Sequence, residues 1–141
     1  MIKDRLSPSQ PIHKIKEVHG LACPMRDGVG LVTDIYMPDE EGTFATVLIR
    51  TPYDKHSMNS VMLDAIYLAQ RGFAVAVQDV RGRHESQGEW YPFVNEASDG
   101  HDAVEWVAAQ PWSNGKIGSV GSSYLGLTQW HMAQGDSPHM V

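Results

Sequence analysis

The chain has 141 residues, 42% of them hydrophobic and 20% charged, a composition that fits one globular domain and excludes a disordered or fibrous chain. Eleven Lys and Arg against 17 Asp and Glu give a net charge of −6, without the basic cluster or stripe that a phosphate backbone requires, so no nucleic-acid partner is expected. No apolar run approaches the roughly 18 residues of a membrane span, and the polar start from Met1 to Lys16 lacks the apolar core of a signal peptide, so no membrane partner and a cytoplasmic location are expected.

Residues 1–14 read as an N-terminal tail, with a linker-like stretch from Ser7 to Pro11. Two strand signals, Val18 to Pro24 and Val29 to Met37, then flank Arg26-Asp27-Gly28, and an Asp-Gly pair between strands predicts an antiparallel hairpin. Cys23 is the single cysteine, can close no disulfide within the chain, and reads as a buried, inert thiol. Thr46 to Ile49 and Phe73 to Val77 are continuous apolar runs, the pattern of parallel strands buried on both faces. Between them a helix is predicted with Ser60 as its N-cap, Met62, Ile66 and Ala69 on one face, and Gly72 just past its end.

A second helix from about Glu96 to Gln110 offers Ala103, Trp106 and Val107 to the sheet and stops at Pro111. Ile117 to Val120 is a short strand, followed by a serine turn and another helical run. This order predicts an α/β fold in which an antiparallel hairpin leads into a mostly parallel sheet with flanking helices.

The serine turn is Gly121-Ser122-Ser123-Tyr124-Leu125-Gly126. A serine hydroxyl is a weak nucleophile until a base takes its proton, and a sharp strand-to-helix turn that exposes Oγ at a helix N-terminus is a recurring way to use one. On the turn alone, a helix cap is the commoner role for such a serine. The pattern also departs from GxSxG, because Leu125 holds the place of the second glycine, which follows at Gly126. Ser122 fits less well, since Val120 stands two residues before it.

Two upstream segments change the weighing: Thr51-Pro52-Tyr53-Asp54-Lys55 after the third strand, and Gln78-Asp79-Val80-Arg81-Gly82 after the fourth, with Ser86-Gln87-Gly88-Glu89 close behind. Together with GxSYxG they resemble the α/β-hydrolase family of serine hydrolases that includes cocaine esterase, α-amino acid ester hydrolase and Xaa-Pro dipeptidyl peptidase. The resemblance covers roughly residues 15 to 135. It implies that residues 15–141 are the N-terminal portion of an α/β-hydrolase catalytic domain, with Ser123 as nucleophile, the Tyr124 backbone amide as one oxyanion donor and the Tyr53 phenol as the other. Its implied substrate is a small ester, amide or peptide, it needs no cofactor, and the complete protein could form a homo-oligomer. The family's base is a histidine and its orienting acid an aspartate, both far downstream of the nucleophile. Ser123 stands 18 residues before Val141, so the chain is expected to be truncated after the elbow, to lack both groups and to be inactive alone.

Other residues read less sharply. Asp79 and Arg81 are expected to form a structural charge pair that shapes their loop. Trp90, Tyr91 and Phe93 form an aromatic group that either lines an acyl pocket or packs ordinarily. His131 lies eight residues beyond Ser123 on the same predicted helix, about 12 Å along its axis and out of hydrogen-bond reach. His84 reads as a solvated loop residue. The seven histidines show neither an HxxxH spacing nor a carboxylate pairing in sequence, so no metal is expected. From Tyr124 to Trp130 no carboxylate is present to hold a substrate ammonium, and this stretch looks more like the cocaine esterase branch than the others. Two functional classes stand at this point: a serine hydrolase working through an acyl-enzyme, and a noncatalytic, partner-binding fragment with an idle elbow.

Overall fold

The computed structural model describes residues 9–57 and 61–141. The chain opens with β1 (Ile15–Pro24) and β2 (Gly30–Pro38), continues with β3 (Phe44–Thr51), α1 (Val61–Ala69), β4 (Ala74–Asp79) and α2 (Glu96–Ala108), and ends with β5 (Ser113–Gly118) and α3 (Tyr124–Gln134). The five strands form one sheet in the order β1-β2-β4-β3-β5. β1, β2 and β4 pair antiparallel, whereas β4, β3 and β5 pair parallel, so the sheet is mixed, with the expected antiparallel hairpin on one side and a parallel set of three strands on the other.

The hairpin turn forms where the Asp-Gly pair predicts it. Met25 N donates to Val29 O at 2.8 Å, and Gly28 takes φ +86°, a conformation that suits a residue without Cβ. β1 is not regular. Val18 stands opposite Ile35 and Leu21 opposite Thr33, so His19 and Gly20 together face the single residue Asp34. This is a β-bulge, and Gly20 takes the φ of +72° that it requires.

Alternation along the central strands builds a core on each face of the sheet. Leu48, Ala74 and Ala76 pack with Ala103, Val104, Val107, Ile117 and Met132 on the face covered by α2 and α3. Ile49, Val75 and Val77 pack with Val61, Ala65, Ala69 and Leu125 on the face covered by α1. All six residues of β4 are buried, which is why its first four, Ala74 to Val77, read as a continuous apolar run, while the polar Gln78 and Asp79 that end it are buried with hydrogen-bond partners. Each fully buried valine there contributes about 1.5–3 kcal/mol relative to an exposed one.

Several boundaries differ from the sequence reading. The buried stripe of α1 is Val61, Ala65 and Ala69, one residue out of step with the predicted Met62 and Ile66, which flank it half-buried. Small residues at that stripe let the helix approach the sheet closely. The proposed cap Ser60 lies outside the described residues. Gly72 does end α1 as expected: at φ +95° it donates to Ala69 O, and Phe73 N donates to Leu68 O, the two bonds of a Schellman motif. β5 begins at Ser113 and ends at Gly118, earlier at both ends than Ile117 to Val120 suggested. On its side away from β3, Ile117 forms a parallel bridge with Met140. Trp106 is half-buried against the core, and α2 is anchored by Ala103, Val104 and Val107. Among the described residues, no helix is long and apolar enough to cross a membrane.

Candidate active site

Parallel strands deliver their C-terminal ends to one side of a sheet, where α/β folds bind ligands. The segments after β3, β4 and β5 meet there. After β5, Ser119 donates its hydroxyl to Leu48 O at 2.6 Å, and the chain turns sharply through Gly121 at φ +142°. A Cβ on Gly121 would lie 2.4 Å from the Leu125 Cβ, so the turn packs against the first turn of α3 only because the position is glycine.

Ser123 follows at φ 56° and ψ −127°, a backbone conformation that non-glycine residues rarely hold. Its carbonyl accepts from Gly126 N at 3.0 Å and Leu127 N at 3.1 Å, starting the helix, but its hydroxyl makes no capping bond. The commoner role of a serine at this place, a side-chain cap, is therefore not the one Ser123 has. Its Oγ is exposed and lies 3.4 Å from the Tyr53 phenol. Among the described residues that phenol is the one hydrogen-bond partner of the Ser123 hydroxyl.

Tyr53 sits just beyond β3, where its amide donates to Thr51 Oγ1 at 3.0 Å, and the ring is 52% exposed. The carbonyl before it, Pro52 O, is braced from the β4 side by Arg83 Nε at 3.0 Å and His84 Nε2 at 3.1 Å. His84, exposed at φ 48°, thus steadies the tyrosine loop and does not approach Ser123 as a base. His131 faces Gln134, at 3.3 Å, also away from the serine.

Tyr124 is the first residue of α3, where backbone amides have no intrahelical acceptor and favour negative charge. Its side chain is buried and fixed at both sides of the phenol oxygen: it donates to Glu96 Oε1 at 2.9 Å and accepts from Phe93 N at 3.1 Å. Burial, followed by the Glu96 charge and hydrogen bond, pushes its pKa up to about 12, so it stays neutral. Phe93 stacks on the Tyr124 ring at 5.0 Å, Trp90 is tilted against it at 5.6 Å, and Tyr53 meets it edge-on at 6.5 Å. Of the three aromatics grouped by sequence, Tyr91 is the exception. It is 62% exposed and has no ring contact among the described residues.

Glu96 belongs to a buried polar chain that composition did not suggest. Thr33 Oγ1 accepts from Gln78 Nε2 (3.1 Å), Gln78 Oε1 accepts from Arg50 Nε (2.9 Å), and Arg50 Nη1 pairs with Glu96 Oε2 (2.6 Å). The chain crosses β2, β4 and β3 and reaches α2 and α3, tying the residue after Ser123 to the centre of the sheet.

Asp79 and Arg81 do not pair with one another, contrary to expectation. β4 ends at Asp79 and the chain turns at Arg81, so Asp79 stays at the sheet end whereas Arg81 is carried toward α2. Arg81 forms two bonds to Asp99, at 2.9 and 2.7 Å, and two to Asp27, at 2.9 and 3.2 Å. Asp79 accepts from Lys55 N at 2.9 Å, with the Lys55 ammonium 3.8 Å from its other oxygen. Burial raises the Asp79 pKa despite these donors. For buried Lys55 the balance falls the other way: burial lowers its pKa, but the Glu85 hydrogen bond and the charges of Asp34, Asp79 and Glu85 outweigh it, with a net rise.

The absence of carboxylate pairing among histidines, true of the sequence, does not hold in space. The bulge in β1 turns His19 toward Asp34, and the loop after β3 brings His56 to the same carboxylate. No sequence spacing could reveal this, because residues 19, 34 and 56 come from three separate segments.

A family model described as X-Pro dipeptidyl-peptidase (S15 family) matches residues 27–141. Cocaine esterase of Rhodococcus sp. (strain MB1 Bresler) is 41% identical over 113 residues, covering 78% of this chain and 20% of that protein. A CocE/NonD family hydrolase from Staphylococcus aureus superposes with a TM-score of 0.79 at 28% identity, over 89% of this chain and 26% of its own. An α-amino acid ester hydrolase superposes with a TM-score of 0.77 at 29% identity, over 96% of this chain and 25% of its own. The chain thus spans about a fifth of the length of the curated relative and about a quarter of these solved ones. With the model matching most of the sequence and the same arrangement of strands and helices recurring in these hydrolases, the chain belongs to the X-Pro dipeptidyl-peptidase (S15) family of α/β-hydrolases.

Proposed function

We propose that this chain carries the nucleophile and the oxyanion hole of a serine hydrolase that cleaves an ester or an amide, of the acyl-ester or Xaa-Pro dipeptidyl type, through an acyl-enzyme at Ser123. The observation that carries the reading is the strained, uncapped Ser123 with its exposed hydroxyl 3.4 Å from the Tyr53 phenol. In this mechanism Ser123 Oγ attacks the substrate carbonyl carbon while a base removes its proton. The oxyanion of the tetrahedral intermediate accepts hydrogen bonds from the Tyr124 amide and the Tyr53 phenol. The intermediate collapses to an acyl-serine, the alcohol or amine leaves with the proton, and water then releases the acid. Trp90 and Phe93, packed on Tyr124, form an apolar wall beside that site.

The base and its orienting acid are, in the family resembled, a histidine and an aspartate downstream of the nucleophile. Among the described residues no histidine or carboxylate is hydrogen-bonded to Ser123 Oγ, and on this reading the chain alone does not turn over substrate. That same observation favours the second reading, a noncatalytic module with an idle elbow. A fluorophosphonate probe separates the two, because it labels only an activated serine. Labelling at Ser123 in a version extended to the length of its relatives, with none in this chain, supports the hydrolase. Absence of labelling in both overturns it.

A further inference from the structure

A second cluster of chemistry-bearing side chains lies on the β1–β2 side, outside the serine site. His19 Nδ1 and His56 Nε2 stand 3.0 and 2.9 Å from one atom, Asp34 Oδ2. The ligand atoms of the three residues all lie within 4.8 Å of one another. We propose that His19, Asp34 and His56 form a binding site for a divalent transition-metal ion of the zinc type.

The donor set is the first argument. Two imidazole nitrogens and one carboxylate oxygen suit borderline ions such as Zn²⁺, whereas calcium and magnesium prefer oxygen alone. A third protein ligand completes the minimum for a zinc site and leaves a position for water or a further group.

The supporting shell is the second. Metal-bound histidines commonly present their other nitrogen to a carboxylate, which fixes the ring and raises its basicity. Here Glu17 Oε2 lies 3.0 Å from His19 Nε2, the distance of such a bond, whereas Asp54 Oδ1 accepts from the His56 amide at 2.9 Å and stands 3.8 Å from His56 Nδ1, an ionic contact only. The remaining oxygen of Asp34 accepts from Gly20 N at 2.8 Å, which aims Oδ2 at the two rings. Tyr36 packs edge-on against the His19 ring at 5.9 Å. The bulge matters here: it places His19 and Gly20 together opposite Asp34, one as ligand and the other as clamp.

Charge and access are the third. Lys55 Nζ lies 3.6 Å from Asp34 Oδ2 and 3.4 Å from His56 Nε2, a cation that opposes a second one. Its charge is already met by Asp79 at 3.8 Å and by a hydrogen bond to Glu85. Asp34, Asp79 and Glu85 face the one Lys55 ammonium, and Glu17 and Asp54 stand at the outer nitrogens of the two rings, so carboxylates outnumber the fixed cation and favour a dication. Both histidine side chains are 48% exposed and Asp34 is 1% exposed, so the site opens to solvent over a buried carboxylate. A bound ion joins β1, β2 and the loop after β3, and His56 is only three residues beyond Tyr53.

Zinc titration of the metal-stripped chain at neutral pH, read by calorimetry, tests the site, with Co²⁺ absorption reporting the ligand field. The expected result is one strong zinc site per chain. His19→Ala and His56→Ala each weaken it by at least about tenfold, Glu17→Gln by about tenfold or more, and His131→Ala leaves it unchanged. Both rings are half-exposed, so circular dichroism should show these variants folded. Absence of zinc binding, or binding that survives the His19→Ala/His56→Ala double variant, overturns the proposal and leaves the cluster as histidine–carboxylate ion pairs.

Discussion

The phenol of Tyr53 and the hydroxyl of Ser123 lie 3.4 Å apart although 70 positions separate them in the chain. Parallel pairing of β3 with β5 brings the two together, because it places both strand ends on the same side of the sheet. If the phenol stabilises an oxyanion, Tyr53→Phe in a version extended to the length of its relatives should lower kcat by about 10²-fold or more with little change in KM. Steady-state kinetics on an activated ester measures this. An unchanged kcat removes Tyr53 from the site.

Gly121→Ala tests the sharpness of the elbow. The new methyl would lie 2.4 Å from the Leu125 Cβ, at a φ of +142° that side chains rarely adopt. Denaturant unfolding should show a loss of about 2–3 kcal/mol. A variant as stable as the parent would mean that the turn relaxes without cost.

Removing Glu96 should be costly for a different reason. Glu96→Ala leaves the fully buried Arg50 guanidinium without its carboxylate and the Tyr124 phenol without its acceptor. Breaking one side of a buried ion pair costs about 3–5 kcal/mol. Glu96→Gln keeps an acceptor for Tyr124 and should lose less, so the order of stabilities by thermal unfolding checks the assignment.

Arg26 and Asp102 give a defined pH dependence. Burial raises the Asp102 pKa, but the Arg26 hydrogen bonds more than offset this and hold it below its ordinary 3.8. A depressed folded-state pKa stabilises the fold above the unfolded value, and the contribution disappears as pH falls through the folded one. Arg26 is largely exposed, so solvent screens the pair and its contribution to stability is small. Arg26→Ala should therefore destabilise at neutral pH and make little difference in strong acid, as a series of urea melts would show. A penalty independent of pH would argue for packing by the arginine stem instead.

Cys23 should be chemically silent. It is fully buried, and burial pushes its thiol pKa up to about 12. A thiol reagent such as DTNB should react slowly with native protein and rapidly in denaturant. Rapid native reaction would mean that β1 opens readily.

Local signals made much of the fold legible. The Asp27-Gly28 turn, the apolar run of β4 and Gly72 at the end of α1 all follow from short-range backbone preferences, and each appears where those preferences put it. The resemblance to hydrolases was legible too, since it rests on residue identity at Tyr53, Asp79 and Ser123. Two of the three stripe positions of α1 were misplaced by one, because hydrophobicity favours Met62 and Ile66, whereas packing on the sheet favours the smaller Val61 and Ala65; Ala69 is buried as expected.

By itself the sequence determined the α/β class, the strand-turn-helix around Ser123 and the family, because backbone preference, burial periodicity and motif identity act over short stretches. The tertiary structure alone decided the partners. It gave Arg81 to Asp99 and Asp27, joined Arg50 to Glu96, and gathered His19 and His56 on Asp34. Such pairings depend on strand order and on a single bulge in β1, which set where distant segments meet, and no spacing along the chain encodes that distance in space.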